Sequence, residues 1–314
     1  MRADLLHVVA VVSNPVRWQS RIKLARGFAE HMLDSGVHIT LVECAYGDRP
    51  HELAEMPHVQ HVPVRAKTMA WNKENLINIG ISRLPEGWKY LATIDADVHF
   101  RRSDWASETV HALQHYDVIQ PWSDCYDLGP AGEHMELHRS LMRLWYERAP
   151  ILQGPKCGPN TGYRFGHPGY AWAWTRAALE WVGGMIETAA LGAADHHMGL
   201  ALIGRVEESI HGGTTEGYKR PLRLWQSRAA RHIAKNVSYL PGTIEHHWHG
   251  NKHGAHGRRY TDRWNILVKH GFDPAVDLKR NTHGVIELAG NKPELAHDMD
   301  VYFRARTEDA NMAF

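Results

Sequence analysis

Tyr90-Leu91-Ala92-Thr93-Ile94-Asp95-Ala96-Asp97-Val98 is an apolar, β-branched run that stops at two carboxylates one residue apart. Such a run bounded by a polar turn predicts a buried strand over Trp88 to Ile94. Working upstream, Trp71 to Ser82 places Leu76, Ile77, Ile79, Gly80 and Ile81 near one side of a helix, and Val59 to Val64 predicts a strand. Leu5 to Val12, closed by Ser13-Asn14-Pro15, predicts a buried first strand. Ser20 to Ser35 then repeats Ile22, Leu24, Ala25, Phe28, Met32 and Leu33 at roughly helical spacing. Gly36 ends that helix before Val37 to Val42, a second strand. A strand-helix-strand unit of this length needs a crossover and therefore parallel pairing. Asp95 and Asp97 fall at the C-terminal edge of a strand, where open α/β sheets bind ligands.

Downstream, Asp104 is placed to cap a helix over Trp105 to His115, and Asp117 to Gln120 predicts a short strand. Beyond Pro121 the texture turns to Gly, Pro and aromatic residues, with Gly154 to Asn160 as the clearest loop, an acceptor-side region. Residues 170 to 210 return to a helix-compatible pattern. The expected fold is α/β, with a mostly parallel sheet flanked by helices; the resemblance given below implies the Rossmann-like, mixed form of it. The expected organisation is a ligand-binding domain over residues 1–215, which that resemblance makes the catalytic one, and a basic, His- and aromatic-rich C-terminal extension over residues 216–314 that would complete its site.

Hydrophobic residues make up 43% and charged residues 23% of the chain, which excludes long disordered tails. The net charge of +1 hides a local imbalance: residues 217 to 270 hold eleven Lys and Arg against Glu245 and Asp262. An anionic ligand is expected near that stretch. Cys44, Cys125 and Cys157 are widely spaced without a CxxC pair, which suits a reducing cytoplasm. The N-terminal apolar stretch is short and contains His7, so it reads as a core strand, and no stretch approaches the length of a membrane span.

On the turn after a strand, the carboxylates of Asp95 and Asp97 can converge on a hard cation such as Mn²⁺ or Mg²⁺ that bridges a diphosphate. Late in the chain, Glu245-His246-His247-Trp248-His249-Gly250 offers imidazoles. If that segment is extended, alternation sends His247 and His249 to one face and His246 and Trp248 to the other. His247 or His249 is the expected metal ligand, with hydrogen-bonding loop histidines as the alternative. His134 and His138 stand at the spacing of half a zinc site, but Glu136 is misplaced for a metalloprotease helix. An amphipathic helix surface explains the pair. No Walker motif and no strand-linked GxGxxG is present.

Taken in order, three blocks resemble the GT-A fold glycosyltransferases, particularly the family-2-like group: Asn72-Lys73-Glu74-Asn75 with Asn78-Ile79-Gly80-Ile81, then Ile94-Asp95-Ala96-Asp97, then Gly169 to Arg176 with Gly183-Gly184-Met185-Ile186-Glu187 and Asp195-His196-His197-Met198. The resemblance spans about residues 5 to 210. It implies a metal-dependent hexosyltransferase using a nucleotide-sugar donor, a UDP-sugar in the first instance. Donor contacts would come from Asn14, Arg17, Asn72, Asn75, Asp95 and Lys252, and Asp195 would be the general base. Where many inverting members carry Glu-Asp, this chain has Ala194-Asp195, so the base rests on one carboxylate. Asp195 also reads as a helix N-cap. A late His completing the metal shell beside Asp97 is similar to several GT-A enzymes.

Lys219, Arg220, Arg223, Arg228, Arg231, Lys235, Arg258, Arg259 and Arg263 could neutralise a leaving diphosphate or track a nucleic-acid backbone; a solvated helix face is the plainer reading. The interleaved Trp225, Tyr239, Trp248, Tyr260 and Trp264 suit sugar rings and bases alike. The acceptor is thus a glycan or a nucleic acid, including hydroxymethylated pyrimidines of phage DNA. A catalytically silent nucleotide-sugar or glycan binder is the rival from another class.

Overall fold

A computed structural model describes residues 2–152, 166–250 and 259–309. Lys252, Arg258, Cys157 and the Gly154 to Asn160 loop lie outside the described residues. The first half of the chain builds β1 (Leu6–Ser13), α1 (Gln19–Asp34), β2 (His38–Tyr46), β3 (Val59–Ala66), α2 (Lys73–Ile81), β4 (Tyr90–Ile94) and β5 (Val98–Phe100). It continues through α3 (Trp105–Ala112), β6 (Val118–Gln120), β7 (Asp124–Leu128), β8 (His134–Ser140) and α4 (Leu141–Tyr146). Then come β9 (Gly166–His167), β10 (Ala171–Thr175), α5 (Arg176–Val182), α6 (Ala194–Leu202), α7 (Glu216–His232), β11 (Val237–Tyr239) and β12 (Thr243–His246). The chain closes with α8 (Arg259–Lys269), α9 (Pro274–Asp277), β13 (Leu278–Arg280), β14 (Ile286–Leu288) and α10 (Pro293–Arg304).

Seven strands form the main sheet in the order β3-β2-β1-β4-β10-β6-β11. All run parallel except β10, which is antiparallel to both β4 and β6. The parallel pairing is what the strand-helix-strand periodicity predicts, and the single antiparallel strand makes the sheet the mixed one that the resemblance implies. Its central strands are buried on both faces: Val9, Val42 and Leu91 pack on one side, Val8, Leu41 and Ala92 on the other. That two-sided burial is why they read as continuous apolar runs rather than alternating ones. A Cβ on Gly80 would lie 2.6 Å from a methyl of Val9 and 2.8 Å from one of Val42, so only glycine lets α2 lie this close to the sheet.

Winding reverses between β1 and β4, since β2 and β3 extend the sheet to one side and β4 begins the other. The crevice at such a reversal is where open α/β sheets bind ligands. A second sheet, β5-β12-β7-β8-β9, stands beside it. The stretch past residue 216 is built into both: β11 extends the main sheet along β6, and β12 lies between β5 and β7 in the second. Two local expectations are corrected. Residues 134 to 140 form β8 rather than a helix surface, with His138 buried and His134 stacked on Tyr126 at 4.1 Å. Asp104 occupies the N-cap position of α3 without capping it, because its carboxylate is taken by Arg102 (2.6 and 2.8 Å).

Candidate active site

The ends of β1 and β4 open into a cleft of about 570 Å³. Asp95, Asp97 and Asp195 all line it, with Asn72, Lys73 and Glu74 from the start of α2. The turn after β4 is held by two backbone bonds: Asp95 N donates to Tyr170 O (2.8 Å) and Val98 N to Asp95 O (3.1 Å). Tyr170 has a positive φ of 72°, a strained conformation for a bulky residue and one found mostly where function demands it.

Asp95 is paired with Lys73. Burial raises its pKa, with Lys73 opposing and Asp97 adding to the rise. Asp97 goes the other way. Burial would raise it, but His246, by charge and hydrogen bonding, together with His249 and Lys73, holds it well below the usual carboxylate range. Antiparallel pairing of β12 with β5 sets His246 opposite Val98, and His247 N extends that ladder to Asp97 O (2.9 Å). His246 Nε2 thereby lies 3.4 Å from Asp97 Oδ1, and His249 Nδ1 lies 3.8 Å from Asp97 Oδ2.

Asp97, His246 and His249 can each offer an atom within 4.8 Å of the others. Asp97 Oδ1 is buried with no hydrogen-bond partner of good geometry. A buried carboxylate oxygen left this way is costly unless a positive charge faces it. One oxygen and two imidazole nitrogens fit a divalent cation. The alternation argument paired His249 with His247, whereas the structure brings His249 together with His246. The strand ends at His246 and the chain bends, so parity fails past that point. His247 lies outside the cluster and does not line the cleft.

Asp195 sits in the first turn of α6, whose N-cap is Ala193 at φ 85°. Its Oδ1 accepts from His196 N (2.8 Å). A Cβ on Gly169 would come within 2.9 Å of Asp195 Oδ2, so the backbone of 169 is packed directly against that carboxylate. Glu74, nearly fully buried, has its pKa pushed up to about 8 by burial, with Asp195 adding to the rise and Lys73 opposing it.

The remaining predicted donor residues scatter. Asn14 folds the loop after β1 by accepting from Trp18 N and donating to Trp18 O (2.8 Å each), and Arg17 sits in that loop at φ 67°. Neither lines the cleft. Asn72 accepts from Ser13 Oγ (3.1 Å) at the cleft wall. Asn75 points away from it, donating to Gly284 O (3.2 Å) and accepting from Ile286 N (2.9 Å) to hold β14.

Sequence reasoning did not single out His246, Lys73, Arg21 or Arg306 at the cleft, whereas Arg263, which it offered for a diphosphate, does line it. Arg21 from α1 and Arg306 beyond α10 line the cleft and share the buried carboxylate of Glu308, at 2.5 and 2.7 Å for Arg21 and 2.7 Å for Arg306. Arg306 lies over Trp71 at 5.0 Å and Arg263 over Trp264 at 5.4 Å. Two cations of the α7 run pair with glutamates: Arg223 with Glu207 (2.7 Å) and Glu216 (2.9 Å), Lys219 with Glu216 (3.2 Å). Trp225 is core, its Nε1 donating to Gly184 O (2.9 Å). No described helix is long and apolar enough to cross a membrane.

No family model matches the sequence, and no curated protein does. Among solved structures the chain is similar to TarS of S. aureus, with 10% identity over 76% of this chain and 60% of that one, at a TM-score of 0.42. It is also similar to a mutant Drosophila β1,4-galactosyltransferase 7 in complex with manganese, UDP-Gal and xylobiose, with 12% identity over 93% and 98% of the two chains at a TM-score of 0.40. A putative nucleotide-diphospho-sugar transferase from Desulfovibrio desulfuricans gives 12% identity over 85% and 98%, at a TM-score of 0.31. The sheet order and the cleft described above stand independently of these likenesses.

Proposed function

We propose that the chain is a metal-dependent glycosyltransferase that moves a hexose from a nucleotide sugar, a UDP-sugar in the first instance, to a hydroxyl acceptor. The observation that carries this reading is the convergence of Asp97, His246 and His249 at the mouth of β4, where Asp97 Oδ1 is buried with no well-aligned hydrogen bond. Two imidazoles in the donor set favour Mn²⁺ over Mg²⁺. Bound by Asp97, His246 and His249, the cation would supply positive charge to the diphosphate of the donor.

The chain's own residues account for the rest. Lys73 holds Asp95 at the cleft wall. Arg21, Arg263 and Arg306 line the cleft with positive charge for a leaving nucleoside diphosphate. Trp71 and Trp264 offer planes for a sugar ring or a base. Asp195 accepts the proton of the acceptor hydroxyl as its oxygen bonds to the anomeric carbon. The bond from that carbon to the phosphate oxygen breaks, and the electron pair leaves with the diphosphate. A nucleic-acid acceptor draws less support, since Arg223 and Lys219 are neutralised by neighbouring glutamates. A silent binder would need neither the cation ligands nor a base.

Asp97→Ala tests the reading. With UDP-hexose and Mn²⁺, nucleoside diphosphate release should fall at least ~10²-fold while circular dichroism and melting temperature stay near wild type. Unchanged release by a folded variant defeats the proposal.

A further inference from the structure

Behind the candidate cation site lies a buried hub that the reaction above does not use. Asp127, at the end of β7, is opposite His246 in the parallel β7–β12 ladder, and the register of β7 with β8 shifts between Asp127 and Leu128. Such irregularities re-aim side chains. Three groups converge on this one carboxylate. His246 Nδ1 lies 2.8 Å from Oδ1, Tyr170 Oη donates to the same oxygen at 2.9 Å, and His138 Nε2 lies 2.8 Å from Oδ2. Asp127, His138, Tyr170 and His246 are all buried.

An ionised carboxylate only accepts, so the ring nitrogens facing it must carry the hydrogens. His246 then carries hydrogen on Nδ1, which leaves Nε2, 3.4 Å from Asp97 Oδ1, as the atom that faces the candidate site. In the neutral ring two acceptors meet across that gap, an arrangement favourable only with a proton or a metal ion between them. Asp127, Glu136 and His138 could themselves be read as a second metal cluster. The direct 2.8 Å contact between His138 and Asp127 makes them a hydrogen-bonded network instead.

We propose that Asp127 is the positioning residue of the cation site: through Nδ1 it fixes the tautomer and ring orientation of His246, so that Nε2 is the atom offered to the metal. Carboxylates that hold a ligating imidazole this way raise its basicity, and losing one costs about 10–100-fold in metal affinity. Asp127→Asn keeps the shape but can donate to Nδ1, which turns the ring hydrogen toward Asp97. Tyr170→Phe removes a bond to the same oxygen and keeps the ring that packs against His246 at 4.5 Å. The inference rests on the glycosyltransferase reading only in taking the ion from it.

Two measurements test it. Free Mn²⁺ followed by electron paramagnetic resonance gives affinities for wild type and both variants. Nitrogen-15 NMR of histidine-labelled, metal-free wild type gives the His246 tautomer without any substitution. Expected are Mn²⁺ affinity weakened about 10–100-fold in Asp127→Asn, affinity within a few-fold of wild type in Tyr170→Phe, and hydrogen on Nδ1 of His246. Equal Mn²⁺ binding by wild type and Asp127→Asn, equal weakening in both variants, or a His246 that carries hydrogen on Nε2 and none on Nδ1 overturns the positioning role and leaves the glycosyltransferase reading standing. Failure of wild type to bind Mn²⁺ at all overturns both.

Discussion

Glu74 shows how a single side chain records the demands of the cleft. Its folded pKa of about 8 stands above the ordinary 4.5, because burial disfavours the charged form. The unfolded chain therefore releases this proton earlier than the folded one. Stability is lost as pH rises from 4.5 and is fully lost once pH passes 8. Glu74→Gln removes that penalty, so its stability relative to wild type should be unchanged below pH 4, climb between pH 4.5 and 8, and level off at a gain of roughly 5 kcal/mol. Urea melts of both proteins across that pH range check it, and a parallel pair of curves refutes it. Sequence alone could not have singled out Glu74, since its carboxylate matters only because α2 begins at the switch point between β1 and β4. The place of Asp95 and Asp97 at the end of β4 was legible, because the apolar run before them marks the strand. The place of His246 beside Asp97 was not: it depends on the pairing of β12 with β5, far away in sequence, and on β12 stopping where it does.

Among the elements, β1 to β4, α1 and α2 follow their periodicity to within a few residues, since each buries a continuous apolar surface whose pattern the chain carries locally. The strands of the second sheet do not. β8 reads His-Met-Glu-Leu-His-Arg-Ser, half-exposed and polar, and its strand character comes from pairing with β7. The start of α1 is a further case of a partner supplied from afar. Its N-cap residue Trp18 has no side chain to offer, and the first two helical amides, Gln19 N and Ser20 N, instead donate to Asp309 (2.9 Å each). A carboxylate there satisfies otherwise unpaired donors and complements the helix dipole. Asp309→Ala should cost about 1 kcal/mol, and amide exchange at Gln19 and Ser20 should speed up ahead of the rest of α1. Unchanged protection at both amides would show that the cap contributes nothing.

Across the whole molecule, the stretch from Tyr302 to Asp309 joins what lies farthest apart in sequence. Tyr302, Phe303 and Arg306 wall the cleft, and Glu308 binds Arg21 in α1. Burial opposes ionisation of Glu308, but Arg21 and Arg306 outweigh it and hold its pKa at about 2, below the ordinary 4.5. The contribution of this pair is present above pH 4.5 and lost as pH falls through 2. Glu308→Gln removes the one negative charge that Arg21 and Arg306 share, so it should cost about 3 kcal/mol at pH 7. Between pH 4.5 and 2 the variant should lose less stability than wild type, and an acid limb as steep as wild type's would contradict the pairing. The same clasp has a bearing on how the protein is born. A nascent chain that ends near residue 300 lacks Tyr302, Phe303 and Arg306, which form one wall of the cleft, and the carboxylate that Arg21 binds. The cleft is therefore complete only after translation has passed Glu308.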